Sequence, residues 1–290
     1  MHCLNALGFA RHLQRQPEAH KGDSGRVALI GGAPSMAGAL LLAGQGALYS
    51  GAGYTLLLML DPRSAHVLQS QPELMVHDAL HWEPAQALET LRPDVVAIGP
   101  GMGRSAQALQ WLQAALAWQG PLVIDADAIN LLADNAPLLD TLRARQHATV
   151  LTPHPGEAAR LLAWDTAQVQ ADRPEAIQRL VAHTRSIVVL KGLHTLVAAP
   201  DHPVQQCQDG NPGMAVGGMG DVLTGCIAAL AAQGVRKQLD LWQATCLGVQ
   251  AHALAADGLV RAGVGPIGLT PMELAVQIRV IVNAAAQALR

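Results

Sequence analysis

Aromatic side chains are scarce in this chain of 290 residues: one Phe, two Tyr and five Trp make up 3% of it. That excludes a core filled by stacked rings. Ala, Leu, Val and Gly must do the filling, which suits helices packed closely on a sheet. Charge is sparse as well, at 14% of residues with a formal net charge of -3. No long basic run occurs, so neither nucleic acid nor an anionic membrane surface is expected as a partner. The four cysteines, Cys3, Cys207, Cys226 and Cys246, form no CxxC pair, so the spacing offers no zinc or dithiol redox motif. Cys226 and Cys246 sit in apolar helical runs and read as small core residues; a reducing cytoplasm is the expected compartment. No uninterrupted apolar run reaches the roughly 18 residues a membrane span needs, and the first residues lack a signal-peptide layout. Two phosphate-binding motifs are also missing. There is no GxxxxGK[ST], and "GPGMGR" at 99–104 lacks the last glycine of GxGxxG, so neither a P-loop nor a Rossmann dinucleotide fingerprint is present.

What remains is a well-patterned α/β sequence. Half of the residues are apolar. Short runs at 26–31, 55–60, 73–78, 94–99, 121–126, 148–153, 186–191 and 195–200 are rich in Val, Ile and Leu with little alternation, as strands covered on both faces are. Helical patterns lie between and after them at 37–50, 104–117, 156–163, 173–184, 219–233, 240–257 and 271–288. This alternation predicts one domain with a mainly parallel sheet and helices on both sides. In such sheets ligands bind beyond the carboxyl ends of the strands. Five candidate strands run into Gly, Pro, Asp, His or Lys: "VALIGGAPSMAG", "VVAIGPGMG", "LVIDADAIN", "VLTPHPGE" and "VVLKGLHT". Their ends are expected to converge on one rim.

The stretch "NPGMAVGGMGDVLTG" (211–225) holds five glycines and one charge, Asp221. Gly217, Gly218 and Gly220 precede an apolar helix, where backbone N–H groups and the helix dipole suit phosphate. A carboxylate beside such a cradle can take the proton of a hydroxyl that attacks phosphorus. The alternative is an ordinary first-turn acid that complements the dipole; the glycine run is longer than a turn needs, which favours the cradle. Lys191 reads either as a point charge for phosphate or as a strand-end lysine in solvent. His154, held between two prolines, reads as a ligand contact or a surface histidine. Asp125 and Asp127 in "DADAIN" resemble a metal or acid/base pair, although Asp127 also suits a helix cap.

Together, "GGMGDVLTG", "NPGMA", "TPHPGE", "IGPGMG" and "KGLHT" resemble the ADP- or ATP-dependent NAD(P)H-hydrate dehydratases, in the same order from about Gly25 to about Ala285. The resemblance implies a ribokinase-like three-layer α/β/α sandwich over residues 25–290, preceded by an N-terminal extension, 1–24. It implies a lyase of cofactor repair. A nucleotide phosphorylates the hydroxyl of (S)-NADHX or (S)-NADPHX, and loss of phosphate restores NADH or NADPH, with ADP as co-substrate, AMP as product and magnesium as companion. By the same resemblance Ala39, Gly101, Gly103, His154 and Asp221 match substrate-contacting positions, Asp221 being the catalytic one. Lys191, Gly192, Leu193, His194, Thr195 and Gly220 match the nucleotide site. A homotetramer is implied, working with a separate epimerase, because the residues before Gly25 are too few for the epimerase domain some members carry. Leu40 stands where the family often has proline. Two alternatives stay open: a kinase of the same fold acting on a hydroxymethylpyrimidine or thiazole alcohol, and a non-catalytic nucleotide sensor.

Overall fold

The computed structural model describes residues 1–64 and 71–288. Its strands are β1 (His2–Cys3), β2 (Arg26–Gly31), β3 (Tyr54–Met59), β4 (Leu74–Asp78), β5 (Val95–Ile98), β6 (Leu122–Ile124), β7 (Thr149–Leu151), β8 (Ile187–Leu190), β9 (Leu196–Ala199) and β10 (His202–Gln206). They form one sheet in the order β1-β10-β9-β8-β7-β6-β5-β2-β3-β4. From β8 to β4 every pairing is parallel, whereas β9 is antiparallel to both β8 and β10. The mainly parallel sheet is as expected.

Helices α1 (Ala37–Tyr49), α2 (Pro84–Leu91), α3 (Ala106–Ala117), α4 (Ala126–Ala133), α5 (Ala136–Ala144), α6 (Pro155–Leu162), α7 (Thr166–Ala171), α8 (Arg173–Thr184), α9 (Met219–Lys237), α10 (Leu241–Arg261) and α11 (Pro271–Gln287) cover both faces. Successive strand residues point to opposite faces. Along β2, Val27 and Leu29 therefore enter the core with α1, α9, α10 and α11, while Ala28 and Ile30 enter the core with α2 to α8. Such a strand needs apolar residues at every position, which is why it reads as an unbroken apolar run.

Where α1 crosses α9, the helices touch through glycine. A Cβ on Gly46 would overlap the Val222 carbonyl, and one on Gly225 would overlap the Ala43 carbonyl. This close approach brings the N-terminal ends of α1 and α9 together.

The sheet also locates the crevice. From β5 the chain builds outward through β6, β7 and β8; from β2 it builds the other way through β3 and β4. The gap beyond the ends of β2 and β5 is thus the switch point where open α/β sheets bind ligands. The two loops there are tied together: Gly32 N–H donates to Pro100 O at 3.0 Å, and Ala33 N–H to Gly101 O at 2.7 Å.

Some elements differ from the sequence reading. β1 and β10 were not expected, nor were α2, α5 and α7. The 1–24 segment, expected as an extension, lies on the domain: β1 pairs with β10, and Leu4, Ala6, Ala10 and Leu13 are buried in the core. No helix among the described residues is long and apolar enough to cross a membrane.

Candidate active site

The first wall of the crevice is the GPGMG loop after β5. Gly99 holds φ +129°, and a Cβ there would overlap the Asp125 carbonyl oxygen. Gly101, at φ +55°, lies against Met36 and Ala39 at the start of α1. Gly103 N–H donates to Asp127 Oδ2 at 2.9 Å. Ala39, Gly101 and Gly103 therefore share one wall. Asp127 sits in the first turn of α4, whose N-cap is Asp125; its carboxylate fastens the glycine loop.

The second wall is the start of α6. His154 is its N-cap and Pro155 its first residue, the position where a missing N–H costs nothing. His154 Nδ1 accepts from Gly156 N–H at 2.9 Å and from Glu157 N–H at 3.3 Å. That leaves the ring proton on Nε2, 3.2 Å from Glu157 Oε1. Burial first, then Lys191, lowers the pKa of His154. Glu157, 4% exposed, accepts from the His154 N–H at 2.8 Å. Burial pushes its carboxyl up to about 7, opposed by Lys191 and assisted by Asp125.

The floor is the start of α9. Gly218, at φ +96°, caps that helix with no side-chain bond to its first turn. Met219 N–H reaches Val216 O at 3.5 Å and Val222 N–H donates to Gly218 O at 3.1 Å, while no side chain caps the N–H groups of Gly220 and Asp221, a ready anion site. Asp221 is the third residue of α9, half-buried. Burial raises its pKa to about 7, with Asp125 adding to the effect and Lys191 opposing it.

Beneath Asp221 lies a closed network. Asp125, 1% exposed, accepts from Thr152 Oγ1 at 2.8 Å, from Lys191 Nζ at 2.9 Å and from Thr224 Oγ1 at 2.7 Å. The remaining expected loop, Gly192, Leu193, His194 and Thr195, follows Lys191 where β8 turns into β9. Thr195 Oγ1 closes it onto Gly192 O at 3.1 Å, and residues 192–194 are exposed.

Every candidate site residue named from the sequence lies at this rim. The surface hollow lined by Arg145, His202 and Trp242 opens where β7 and β8 begin, at the opposite rim, and contains none of them. Sequence reasoning missed Glu157, Thr152 and Thr224, although all three lie within or beside quoted motifs. It also missed Asp257 of α10, whose two oxygens accept from Gly210 N–H and Asn211 Nδ2, each at 2.9 Å, and so anchor the NPGM turn.

Among the described residues no three His, Cys, Asp or Glu side chains converge as metal ligands, and Asp125 spends both oxygens on its three donors. A dedicated protein cage for magnesium does not fit this site. Magnesium keeps most of its waters and is usually held through substrate phosphates.

Residues 27–279 match the family model described as NAD(P)H-hydrate dehydratase. The bifunctional NAD(P)H-hydrate repair enzyme Nnr of Escherichia coli K12 is 42% identical over 269 residues, which are 93% of this chain and 50% of that protein. The chain thus spans about half the length of the bifunctional relatives it matches. The ADP-dependent (S)-NAD(P)H-hydrate dehydratase of Neisseria meningitidis is 37% identical over 93% of this chain and 88% of that protein. Among solved structures, the ADP/ATP-dependent NAD(P)H-hydrate dehydratase of Bacillus subtilis, co-crystallised with ATP/Mg2+, superposes with a TM-score of 0.81 at 27% identity, covering 96% of this chain and 97% of that one. A hydroxyethylthiazole kinase of Pyrococcus horikoshii superposes at 0.58 with 14% identity over 96% of this chain and 91% of that one, which shows a shared fold and no more.

Proposed function

The chain belongs to the NAD(P)H-hydrate dehydratase family, and we propose that it dehydrates (S)-NADHX and (S)-NADPHX at the expense of ADP, releasing AMP and phosphate. The observation that carries the reading is the pairing of an uncapped helix start with Asp221 in its first turn. The terminal phosphate of the nucleotide sits on the α9 N–H groups, Gly220 included, and the loop 191–195 receives the rest of the nucleotide. The hydrated ring lies against Ala39, Gly101, Gly103 and His154, its hydroxyl over Asp221. Asp221 takes the hydroxyl proton as the oxygen attacks phosphorus, and the bond between that phosphorus and the AMP oxygen breaks. The resulting phosphate ester then loses phosphate and a neighbouring ring hydrogen, which restores the double bond. Magnesium would be held through the nucleotide phosphates and would neutralise part of their charge.

The reading is tested with purified protein, separated hydrate epimers and either nucleotide, followed by chromatography. The S epimer is expected to disappear quickly, and the R epimer no faster than it epimerises unaided. Rapid direct use of both would contradict the site assignment. The reading also carries a cytoplasmic homotetramer supplied by an epimerase activity, and light scattering on the eluted protein checks the assembly.

A pH dependence follows from the two raised carboxyls. A base works only when ionised, so kcat/KM is expected to rise with pH along a limb centred near 7. Because Asp221 and Glu157 interact, the limb belongs to the pair. A limb centred near the ordinary carboxylate range would show that burial does not tune the base.

A further inference from the structure

Lys191 heads the loop 191–195, yet its side chain turns inward. That side chain is 19% exposed and donates to Asp125 Oδ1 at 2.9 Å, while residues 192–194 are exposed. Its backbone is fixed from two sides. Lys191 N–H donates to Pro153 O at 2.9 Å, and Arg173 donates to Lys191 O at 3.2 Å and to Leu190 O at 3.0 Å. The ammonium comes to rest beside Gly220, 3.1 Å from where a Cβ on that residue would lie, and Asp221 is the next residue.

The partner carboxylate is just as firmly held. Asp125 at the start of α4 accepts from Thr152 after β7, from Lys191 after β8 and from Thr224 on α9. Three elements therefore converge on one buried oxygen pair, and the aim of Nζ is set before any ligand arrives. The ammonium is thus fixed next to the first turn of α9, which carries Asp221.

We propose that Lys191 is a positioning residue for Asp221, the fixed cation that keeps this carboxylate ionised and ready to accept a proton, held in place by Asp125, Thr152 and Thr224. The inference rests on Asp221 being the base. Its charge balance is legible residue by residue. From α4, Asp125 and Asp127 face the site; from α6, Glu157 and His154; from the end of β8, Lys191; from α10, His252, buried with Nε2 3.0 Å from Met219 O. Burial holds His252 neutral, its pKa lowered to about 4, and His154 is lowered too. The three other carboxylates are thus countered by a single cation. Removing it leaves three carboxylates and no side-chain cation around Asp221, which drives it toward the protonated, inert form.

The test reads Asp221 directly and needs no turnover. Protein carrying 13C-labelled aspartate carboxyls is titrated by NMR, the Asp221 signal being the one lost in Asp221→Asn. In Lys191→Met the midpoint is expected to move up by at least about one pH unit, a tenfold gain in proton affinity. In Asp125→Asn, which removes a repelling charge and frees Lys191, it is expected to move down. The double variant Asp125→Asn/Lys191→Met leaves no lone buried charge, so it folds where Lys191→Met does not, and its midpoint is expected above that of Asp125→Asn. A midpoint that ignores the lysine overturns the proposal. Failure of the dehydratase reading is a separate result, seen when the wild-type protein leaves the S hydrate unconsumed.

Discussion

Replacing Asp221 by Asn is expected to lower kcat by about two to four decades, the usual contribution of a general base, while ADP affinity stays within a few-fold. Two to four decades are about 3 to 5 kcal/mol of barrier. Asn keeps the shape of the side chain and its place in the first turn of α9 but has no basic oxygen. The competing account makes Asp221 a dipole-complementing acid, worth about 0.3–1 kcal/mol of stability. The two accounts differ in the sign of the stability change. Asp221 has a pKa raised to about 7, above the carboxylate's ordinary value, so the fold favours its protonated form. Stability gained from the protonated group is lost as pH rises through about 7, and above that the ionised group weighs on the fold. Asp221→Asn is therefore expected to melt no earlier than wild type at alkaline pH. Single-turnover NADH formation, ADP titration and a melting curve on one preparation settle the matter. Near-normal turnover with earlier melting would make Asp221 a helix-terminal charge and nothing more.

Gly225→Val is expected to cost about 3 kcal/mol or more, at or beyond the upper end of typical overpacking penalties. The reason is the contact partner. A Cβ on Gly225 would meet the Ala43 carbonyl and the Ala47 nitrogen, 2.8 Å away. These are backbone atoms of α1, which cannot rotate aside as a side chain can, so α1 and α9 must separate. Their N-terminal ends carry Ala39 and Asp221, and the separation opens the crevice as well. Chemical denaturation gives the stability change. A protein as stable as wild type would show that the two helices have slack between them. Gly217 is the control: nothing lies within 4 Å of a Cβ there, and Gly217→Ala is expected to leave stability within about 1 kcal/mol.

Which parts of the molecule were legible follows from what each part needs. β2, β5, β6, β7 and β8 are buried on both faces, and only unbroken Val, Ile and Leu runs satisfy that, so the runs were readable. β10, "HPVQQ", is a partly exposed strand near the sheet edge and is recognisable only through its neighbours β9 and β1. α5 and α7 are short and carry polar residues. At the site, glycines and prolines announced themselves because backbone geometry demands them: Gly99, Gly101 and Gly103 all adopt positive φ, and Pro155 fits the first turn of α6. The network under Asp221 was silent for the opposite reason. Its bonds join residues 27, 66 and 99 positions apart. A threonine that donates to a carboxylate across three elements looks like any other threonine in the chain. The fold supplies that pairing, and with it the inward turn of Lys191.

The central claim is that the hydroxyl on the nicotinamide ring attacks phosphorus with Asp221 as its base. Isotope tracing tests it most directly. (S)-NADHX carrying 18O in the ring hydroxyl is turned over with unlabelled ADP, and the inorganic phosphate is analysed by mass spectrometry. If the oxygen attacks phosphorus and then departs with it, each phosphate released carries one 18O atom. Label found in water, with unlabelled phosphate, would mean that hydrolysis and dehydration proceed separately and that the hydroxyl is never phosphorylated.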